Sequence, residues 1–489
     1  MPHKRDVAVF FLRMRRRNAQ CGGRLETEIM RRPRRRRRQS EVFMQLTYGV
    51  KDRPKFGQVI VFALQQLLAI LAATIAVPTI IGHGMSQSAA LFGAGVGTIV
   101  YLLFTKFRSP VFLGSSFAFL GSMATAFAGA ATAAAGYAGL VIGAAFAGLV
   151  YVVIAIIVKL CGVAWIDKVM PAVVIGPTVA IIGLSLAGNA VGDLSKGAVT
   201  VESVAVASPY LAILCGLVTL GVTIICSVYG KKFLKMIPFI IGIVAGYAVA
   251  AVFTVIGNVA GIDALKIINF SLFESMEWVP SFTFVQAFKG FADIDAAYIG
   301  TVAVAYVPVA FVVFAEHIAD HKNLSTIIEH DLLKDPGLSN TLLGDGVGSM
   351  VGAVFGGCPN TTYGESVGCV AISGNASVVT IVATAVLCML AAFVAPFTTF
   401  LATIPPCVMG GVCIALYGFI AVSGLKMIQT VDLGDNRNLF VVSVILIAGV
   451  GGLTVSFGPV TVTEVACALI LGILTNIMVN RKKDKKEEE

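Results

Sequence analysis

Residues 298–324, YIGTVAVAYVPVAFVVFAEHIADHKNL, decide the fold class of this chain. The first part is apolar enough to lie in lipid, yet Glu316, His317, Asp320 and His321 follow directly. An apolar segment of about 20 residues can span a bilayer as a helix. A charged side chain in lipid is costly and should face a protein-lined cavity. The stretch therefore predicts a membrane protein with a polar site inside it.

Composition favours a polytopic membrane protein over a water-soluble domain. The chain has 489 residues, of which 57% are hydrophobic and 13% are charged, and this balance is typical of membrane proteins. The net charge of +9 arises in residues 1–43, which hold 14 Lys and Arg against 4 Asp and Glu. Such runs can contact nucleic acid or anionic lipid, or form a solvated tail. We expect a disordered cytoplasmic tail without a nucleic-acid partner, and Met44 is an alternative start.

Apolar segments predict fourteen membrane-spanning stretches, of which the third and tenth are interrupted by polar and glycine-rich sequence. Lys and Arg are concentrated in the loops that this count places on one side of the membrane. The positive-inside rule assigns that side, and with it both termini, to the cytoplasm. The predicted span centres are Ala69, Val96, Gly121, Ala147, Val179, Leu220, Ala248, Val309, Gly348, Val367, Leu387, Ile414, Leu446 and Ile470.

The sequence also contains an internal repeat. MPAVVIG at 170–176 returns as IPPCVMG at 404–410, and PVFLGSSF at 110–117 is echoed by PNTTY at 359–363. Each pair is seven predicted spans apart, and because seven is odd the second copy must cross the membrane in the opposite direction. An inverted repeat with discontinuous helices near the midplane is typical of secondary transporters.

The polar residues of the quoted stretch form two helical pairs. Glu316 and Asp320 are four residues apart and share a face, while His317 and His321 form a second pair beside it. The hydropathic centre of the span precedes Glu316, so either the helix starts later than Tyr298 or the site is off centre. Glu316 suits a ligand-binding or proton-carrying carboxylate, and Asp320 suits this role or a helix-end charge. We expect His317 to orient a carboxylate or cap the cavity wall, and His321 to be interfacial.

Metal chemistry fits the same stretch less well. HIADH at 317–321 has two histidines at i and i+4, as in zinc hydrolases, but Asp replaces the usual Glu. The sequence offers no convincing third ligand, and its ten cysteines include no CxxC pair, which argues against a zinc knuckle or a disulfide framework. We expect no metal, no cofactor other than a coupling proton, and no enzymatic activity. A membrane-embedded hydrolase is the rival hypothesis.

A second polar region is GGCPNTTYGESVG, residues 356–368. Its Pro and Gly discourage a continuous helix, and Glu365 begins the next helix, whose first amides are free hydrogen-bond donors. The first half of the chain offers LGSSFAF, where Phe117 supplies a backbone amide and an aromatic face. Carboxylates that accept N–H groups, amides that bind carbonyl oxygens, and aromatic rings together suit a flat cyclic amide such as a nucleobase.

These motifs resemble the bacterial uracil permeases of the nucleobase-ascorbate transporter family, from about Met44 to about Val479. The resemblance implies proton-coupled import of uracil across the bacterial plasma membrane. Glu316 and Glu365 would bind the pyrimidine with the backbones of Phe117 and Gly364. The motifs that carry the resemblance are LQQLLAILAATIAVPTI at 64–80, LGSSFAF at 113–119, AEHIADH at 315–321, HDLLKDPGL at 330–338 and FGGCPNTTYGESVG at 355–368.

The same resemblance implies an all-α polytopic fold of fourteen spans in a seven-plus-seven inverted repeat, with short extended segments in spans three and ten. It further implies a core domain and a gate domain, and a homodimer. The expected parts are the tail 1–43, core spans 1–4 at 44–160, gate spans 5–7 at 161–297, core spans 8–11 at 298–400, gate spans 12–14 at 401–480 and a charged tail at 481–489. The expected substrate-binding residues are Glu316, Glu365, Phe117, Gly364 and Tyr363, and the expected proton-coupling residues are Glu316, Asp320, Glu365 and His317.

Departures from the family pattern leave the substrate open. Uracil permeases place His where this chain has Asp320, and purine-transporting relatives have Asp there. Purine relatives carry Gln at the position of Glu365, however, which favours uracil. A xanthine or urate symporter is therefore the first alternative. An anion exchanger of similar architecture is the second, and a carboxylate-lined site disfavours it.

Overall fold

The computed structural model describes residues 46–201, 204–231, 233–457 and 460–480. The predicted tails at 1–43 and 481–489 lie outside the described residues. The described chain is mostly helical, with three short two-stranded antiparallel ribbons.

In the first half of the described chain, ten helices lie between residues 56 and 260. A 3-10 turn at Phe117–Phe119 precedes the third of them. Their bounds are α1 Phe56–Ile81, α2 Gln87–Phe104, α3 Leu120–Ala128, α4 Ala133–Cys161, α5 Ala164–Val169, α6 Ala172–Ser185, α7 Ala187–Asp193, α8 Pro209–Tyr229, α9 Phe233–Met236 and α10 Pro238–Ala260.

The second half contains nine more helices among the described residues, and the strands are spread over both halves. The helices are α11 Thr283–Gly290, α12 Ala296–Ile328, α13 Leu338–Gly356, α14 Gly364–Ser373, α15 Val378–Ala391, α16 Ala395–Ala402, α17 Pro406–Ile428, α18 Asn436–Val450 and α19 Glu464–Asn480. The strands are β1 Leu113–Ser115, β2 Thr200–Val201, β3 Val204–Ala205, β4 Asn360–Thr362, β5 Val455–Phe457 and β6 Val460–Val462. β1 pairs with β4, β2 with β3 and β5 with β6.

The number of helices that could span a membrane is smaller than the sequence predicted. All fourteen predicted centres fall in helices. In the described chain, however, eight helical segments are long and apolar enough to cross, with α6 and α7 counted together as one, or nine if α15 and α16, which meet at 84°, form one span. The third and tenth predicted spans are half strand and half short helix, and α13 is rich in glycine and polar residues. The count of fourteen is therefore not confirmed, whereas a multi-pass helical membrane protein is.

Elements that correspond to each other in the predicted repeat are in contact. α2 packs on α13, α6 packs on α17, and β1 pairs with β4. The helix crossings use glycine: Gly93 of α2 lies against the Gly352 carbonyl of α13, and Gly183 of α6 against the Tyr417 carbonyl of α17, so a Cβ at either glycine would overlap backbone. Small residues let membrane helices approach this closely. These contacts place the β1–β4 ribbon between the two halves of the chain.

The acidic helix α12 begins at Ala296 and runs for 33 residues. Asp295 caps it, because its side chain accepts a hydrogen bond from the Tyr298 amide at 2.7 Å. The helix therefore does not start later than Tyr298, and of the two alternatives the structure favours a site displaced from the hydropathic centre. The helix ends at Ile328, and the next residue, Glu329, adopts a left-handed conformation.

Candidate functional site

The carboxylates of α12 lie on one side of that helix. Glu316 and Asp320 are separated by about one helical turn, so their side chains point the same way. Both are half-buried, and both line a cavity of about 280 Å³ together with Asn323 from the next turn. The acidic face therefore borders a protein-lined space rather than lipid.

The β1–β4 ribbon forms another part of the cavity wall. Its register places Leu113 opposite Thr362 and Gly114 opposite Thr361. Only glycine fits at position 114, because a Cβ there would overlap the Tyr363 ring. The Tyr363 hydroxyl donates to the Ser115 carbonyl at 2.9 Å. The ring is thereby held in one orientation beside the cavity.

Helix α14 begins immediately after the ribbon, with Glu365 in its first turn. Because first-turn amides have no partner within their own helix, they can bind an acceptor in the cavity. Ser366, the next residue, is buried and accepts from Gln66 Nε2 at 2.5 Å and from the Phe112 amide at 3.2 Å. These bonds anchor the start of α14 to α1 and to the segment before β1, and so fix the position of Glu365.

The structure brings six of the seven predicted site residues to one cavity. This cavity is lined by Phe117, Glu316, Asp320, Tyr363, Gly364 and Glu365. They come from three separate parts of the chain: the turn after β1, α12, and the start of α14. The arrangement joins carboxylate acceptors, amide donors and two aromatic rings in a space suited to a small ligand.

Asp320 has a partner that the sequence did not indicate. Thr362 Oγ1 donates to Asp320 Oδ2 at 2.7 Å. Asn360, two residues earlier in β4, donates to the backbone carbonyl of Gly93 at 3.1 Å. No local signal in the sequence marks the Thr362–Asp320 pair, because it joins strand β4 to helix α12 across 42 residues.

His317 is the predicted site residue that does not line the cavity. Its side chain is 0% exposed, and it lies within hydrogen-bonding distance of Asp345 Oδ2 through Nδ1 at 2.7 Å and of Thr341 Oγ1 through Nε2 at 3.0 Å. Both partners belong to α13, so His317 fixes α12 to α13. It orients a carboxylate, as one prediction had it, but the carboxylate is Asp345 rather than a cavity acid.

His321 is buried, so the prediction that it lies at the membrane interface is wrong. Its Nδ1 lies 2.8 Å from the His317 carbonyl, and its Nε2 lies 2.7 Å from the hydroxyl of Tyr101 on α2. That hydroxyl donates to Ser109 at 2.7 Å. The two imidazole rings stack with centroids 4.0 Å apart. Within the described chain no group of three or more His, Cys, Asp and Glu is placed to hold a metal ion.

The opposite wall of the cavity comes from the segments predicted as the gate domain. It includes Lys235 of α9, Phe239 of α10, and Phe419 and Ser423 of α17. The sequence did not identify Lys235 as a cavity residue, because it lies in a basic loop and its charge was explained by the positive-inside rule alone. The cavity thus contains one cation as well as three carboxylates.

Comparisons with known proteins agree with this architecture. The family model Xan_ur_permease, described as a permease family, matches residues 57–458. The uracil permease of Bacillus caldolyticus is 39% identical over 88% of this chain and 94% of its own length. Those of Bacillus subtilis and Escherichia coli K12 are 36% and 34% identical, over 90% and 87% of this chain and 97% and 92% of their own lengths.

Solved structures share the fold at low sequence identity. The transmembrane domain of the cyanobacterial bicarbonate transporter BicA superposes with a TM-score of 0.61 at 16% identity, covering 88% of this chain and 99% of that one. The murine anion transporter Slc26a9 in its inward-facing state gives 0.60 at 13% identity, covering 94% and 75%. At these identities the likeness concerns the fold alone, which is that of transmembrane transporters.

Proposed function

Because the chain belongs to the Xan_ur_permease family, we propose that it imports uracil by proton symport across a bacterial plasma membrane. Its relatives named uracil permease match nearly their whole length. The proteins of this family are permeases, not enzymes, and the chain is a multi-pass membrane protein. The carboxylate-lined cavity disfavours an anion as substrate, even though the solved structures of similar fold include anion transporters.

The convergence of Glu316 and Glu365 on one cavity is the observation that carries this proposal. Uracil presents two ring N–H donors and two carbonyl acceptors on a flat ring. The carboxylates accept from the N–H groups, while the backbone amides of Phe117 and Gly364 donate to carbonyl oxygens. The ring of Tyr363 supplies an apolar face. This complementarity supports binding of the base in its neutral form.

Proton coupling is assigned to the cavity acids Glu316, Asp320 and Glu365. Three carboxylates around one small space repel each other, and a bare charge is costly in an occluded, lipid-surrounded cavity. A bound proton lowers that cost, which favours movement of the loaded site. One proton crossing about 100 mV supplies roughly 2.3 kcal/mol, enough for about fiftyfold accumulation. His317, buried behind the cavity, supports the acids by holding α12.

Transport is by alternating access of a core domain, 44–160 with 298–400, against a gate domain, 161–297 with 401–480. Spans 1–7 and spans 8–14 form the two halves of a seven-plus-seven inverted repeat, and each half contributes to both domains. Both termini lie in the cytoplasm, and the protein works as a homodimer. The β1–β4 ribbon and the paired helices α2 with α13 and α6 with α17 support the repeat, because each pair joins elements seven predicted spans apart.

A cross-link tests the movement of core against gate. A Cβ on Gly121 of the core would lie 3.8 Å from the Cβ of Thr463 in the gate, which is about the Cβ separation of a disulfide. Gly121→Cys with Thr463→Cys should lose uracil uptake on oxidation and recover it with a reductant, while each single variant stays active. Full uptake by the cross-linked protein would contradict alternating access between these domains.

The decisive experiment for the substrate is uptake of labelled uracil into proteoliposomes with and without an inward proton gradient. We expect saturable uptake that the gradient accelerates and that unlabelled uracil inhibits. Inhibition by xanthine or urate at lower concentrations than uracil would instead favour the purine alternative, which Asp320 suggests. Uptake that depends on chloride or bicarbonate rather than pH would contradict the proposal.

A further inference from the structure

The cavity wall that faces the carboxylates carries an exposed aromatic ring. Phe419 of α17 lines the cavity and is 54% exposed. The other aromatic residues of the described chain that line it, Phe117, Phe239 and Tyr363, are at most 7% exposed. An uncovered apolar ring in a space lined by carboxylates is unfavourable. Phe419 therefore offers apolar surface that a ligand in the cavity could cover.

Helix geometry directs this ring toward the cavity. Phe419, Ile420 and Ser423 all line the cavity. Ser423 follows the other two by four and three residues, so the three side chains share one face of α17. This face belongs to the wall opposite the carboxylates.

Neighbouring rings hold Phe419 in place. The ring of Phe239 on α10 meets it edge to face, with centroids 5.8 Å apart and planes at 68°, which is a favourable arrangement for an aromatic pair. Two residues before Phe419, the ring of Tyr417 meets that of Phe117 at 5.4 Å and 84°. α17 therefore contacts the wall that carries the predicted substrate residues, and its exposed ring has a defined position beside that wall.

The ring supplies a contact that the groups already assigned to the base do not. The carboxylates of Glu316 and Glu365 and the amides of Phe117 and Gly364 are hydrogen-bonding groups, so they bind the edge of a flat base. All four belong to the proposed core domain. The face of the base that is turned toward the gate is left without a partner. Any base can stack on an aromatic ring, because every base has a π-face.

We propose that Phe419 is a further substrate-contacting residue, through which the gate domain recognises the nucleobase by stacking on its face. The inference rests on the proposed function and deepens it. Because the core holds the base and the gate carries the ring, stacking favours closure of the two domains over a loaded site more than over an empty one. Phe419 thereby links substrate binding to the movement of core against gate.

Matched variants separate stacking from general packing. Phe419→Leu keeps an apolar side chain but has no aromatic face, whereas Phe419→Tyr keeps the ring. Phe440→Ala is the control, because Phe440 of α18 is 62% exposed in the same proposed domain but is not among the residues that line the cavity.

The first measurement is KM for labelled uracil uptake by purified, reconstituted protein, together with thermal unfolding. We expect Phe419→Ala to raise KM about tenfold, which is within the range typical of replacing a base-stacking aromatic residue by alanine. Phe419→Leu should raise KM nearly as much. Phe419→Tyr and Phe440→Ala should stay within about twofold of the unmodified protein. Tm should change little in all four variants, because both side chains are exposed.

The second measurement detects the contact itself. A base that stacks on an indole quenches its fluorescence, so uracil should quench the added fluorescence of Phe419→Trp in a saturable way. The unmodified protein, which contains Trp165 and Trp278, gives the background signal. Phe440→Trp should show no uracil-dependent change beyond that background.

The outcomes distinguish the two levels of proposal. Saturable uracil uptake with an unchanged KM in Phe419→Ala overturns the role of Phe419 and leaves the transport function standing. A raised KM in Phe419→Ala with a normal KM in Phe419→Leu also overturns stacking, because any apolar side chain would then suffice. Uracil uptake by Phe419→Trp without quenching overturns it as well. If the unmodified protein takes up no uracil, the proposed function fails, and this inference fails with it.

Discussion

Two faces of helix α12 use neighbouring residues in opposite ways. Glu316 and Asp320 are half-buried and border the cavity. The Glu316 carboxylate has no hydrogen-bond partner among the described residues, and the Asp320 carboxylate accepts one hydrogen bond, from Thr362. His317 and His321, each one residue further along, are fully buried and have partners on both ring nitrogens. The carboxylates keep lone pairs free for a ligand, whereas the histidines have none to offer.

The difference separates binding from positioning on a single element. A side chain that is fully engaged in the folded protein can hold the helix but gains little from a ligand. A carboxylate with unused acceptor capacity in a small cavity gains most when substrate or a proton arrives. Changes on the histidine face should therefore lower stability, and changes on the acidic face should lower transport.

The largest effect is expected on the histidine face. His317→Ala leaves the Asp345 carboxyl buried without its principal partner, and leaving a buried polar group unpaired typically costs about 1–3 kcal/mol. The cavity left by the missing ring adds a further cost. We expect a marked fall in Tm of the purified protein and a smaller folded fraction. The control is Arg108→Gln, which removes a half-exposed pair with Asp335 and should leave Tm unchanged. Equal shifts in the two variants would remove the distinction between the buried pair and the surface pair.

On the acidic face we expect a smaller effect on stability but a larger effect on uracil uptake. Glu316→Gln should lower uracil uptake at least about a hundredfold, because a charge-assisted hydrogen bond and a proton acceptor are lost together. Its Tm should stay close to that of the unmodified protein. Glu277→Gln makes the same chemical change on an exposed residue outside the cavity and should leave uptake unchanged. Loss of folding in Glu316→Gln, with normal uptake by the surviving protein, would reverse the roles of the two faces.

The smallest effect concerns the link between the ribbon and the acidic face. Thr362→Val removes the hydrogen bond to Asp320, so the carboxylate loses its fixed position while keeping its charge. We expect KM for uracil to rise about tenfold, in line with the value of one hydrogen bond to a charged group. Uptake kinetics of Thr362→Ser, which keeps the hydroxyl, should remain near normal. An equal change in both variants would point to strand packing instead.

The sequence could predict features that depend on local pattern. The helical spacing of Glu316 and Asp320 predicts their common face, and Pro359 with Gly364 predicts a break in the helix. The structure has both, with β4 at the break. The inward convergence of Phe117 and Glu365 followed from the internal repeat and from the family resemblance.

Features that depend on distant packing could not be predicted in this way. His321 was expected at the interface, but Tyr101, 220 residues away in the sequence, covers it. The role of Asp345 depends on the packing of α13 against α12, which brings its carboxylate to His317. The predicted number of spans exceeds the number of long apolar helices for a related reason, because half-strand segments and a polar, glycine-rich helix lack the length or apolarity of an ordinary transmembrane helix.

The most direct test of the central claim, that the cavity acids bind uracil together with a proton, is uracil-driven proton uptake in proteoliposomes containing a pH-sensitive dye. With no imposed gradient, adding uracil outside should acidify the interior for the unmodified protein and for Glu277→Gln, but not for Glu316→Gln. Acidification by Glu316→Gln at the normal rate, or uracil entry into vesicles of the unmodified protein without any proton movement, would contradict the account.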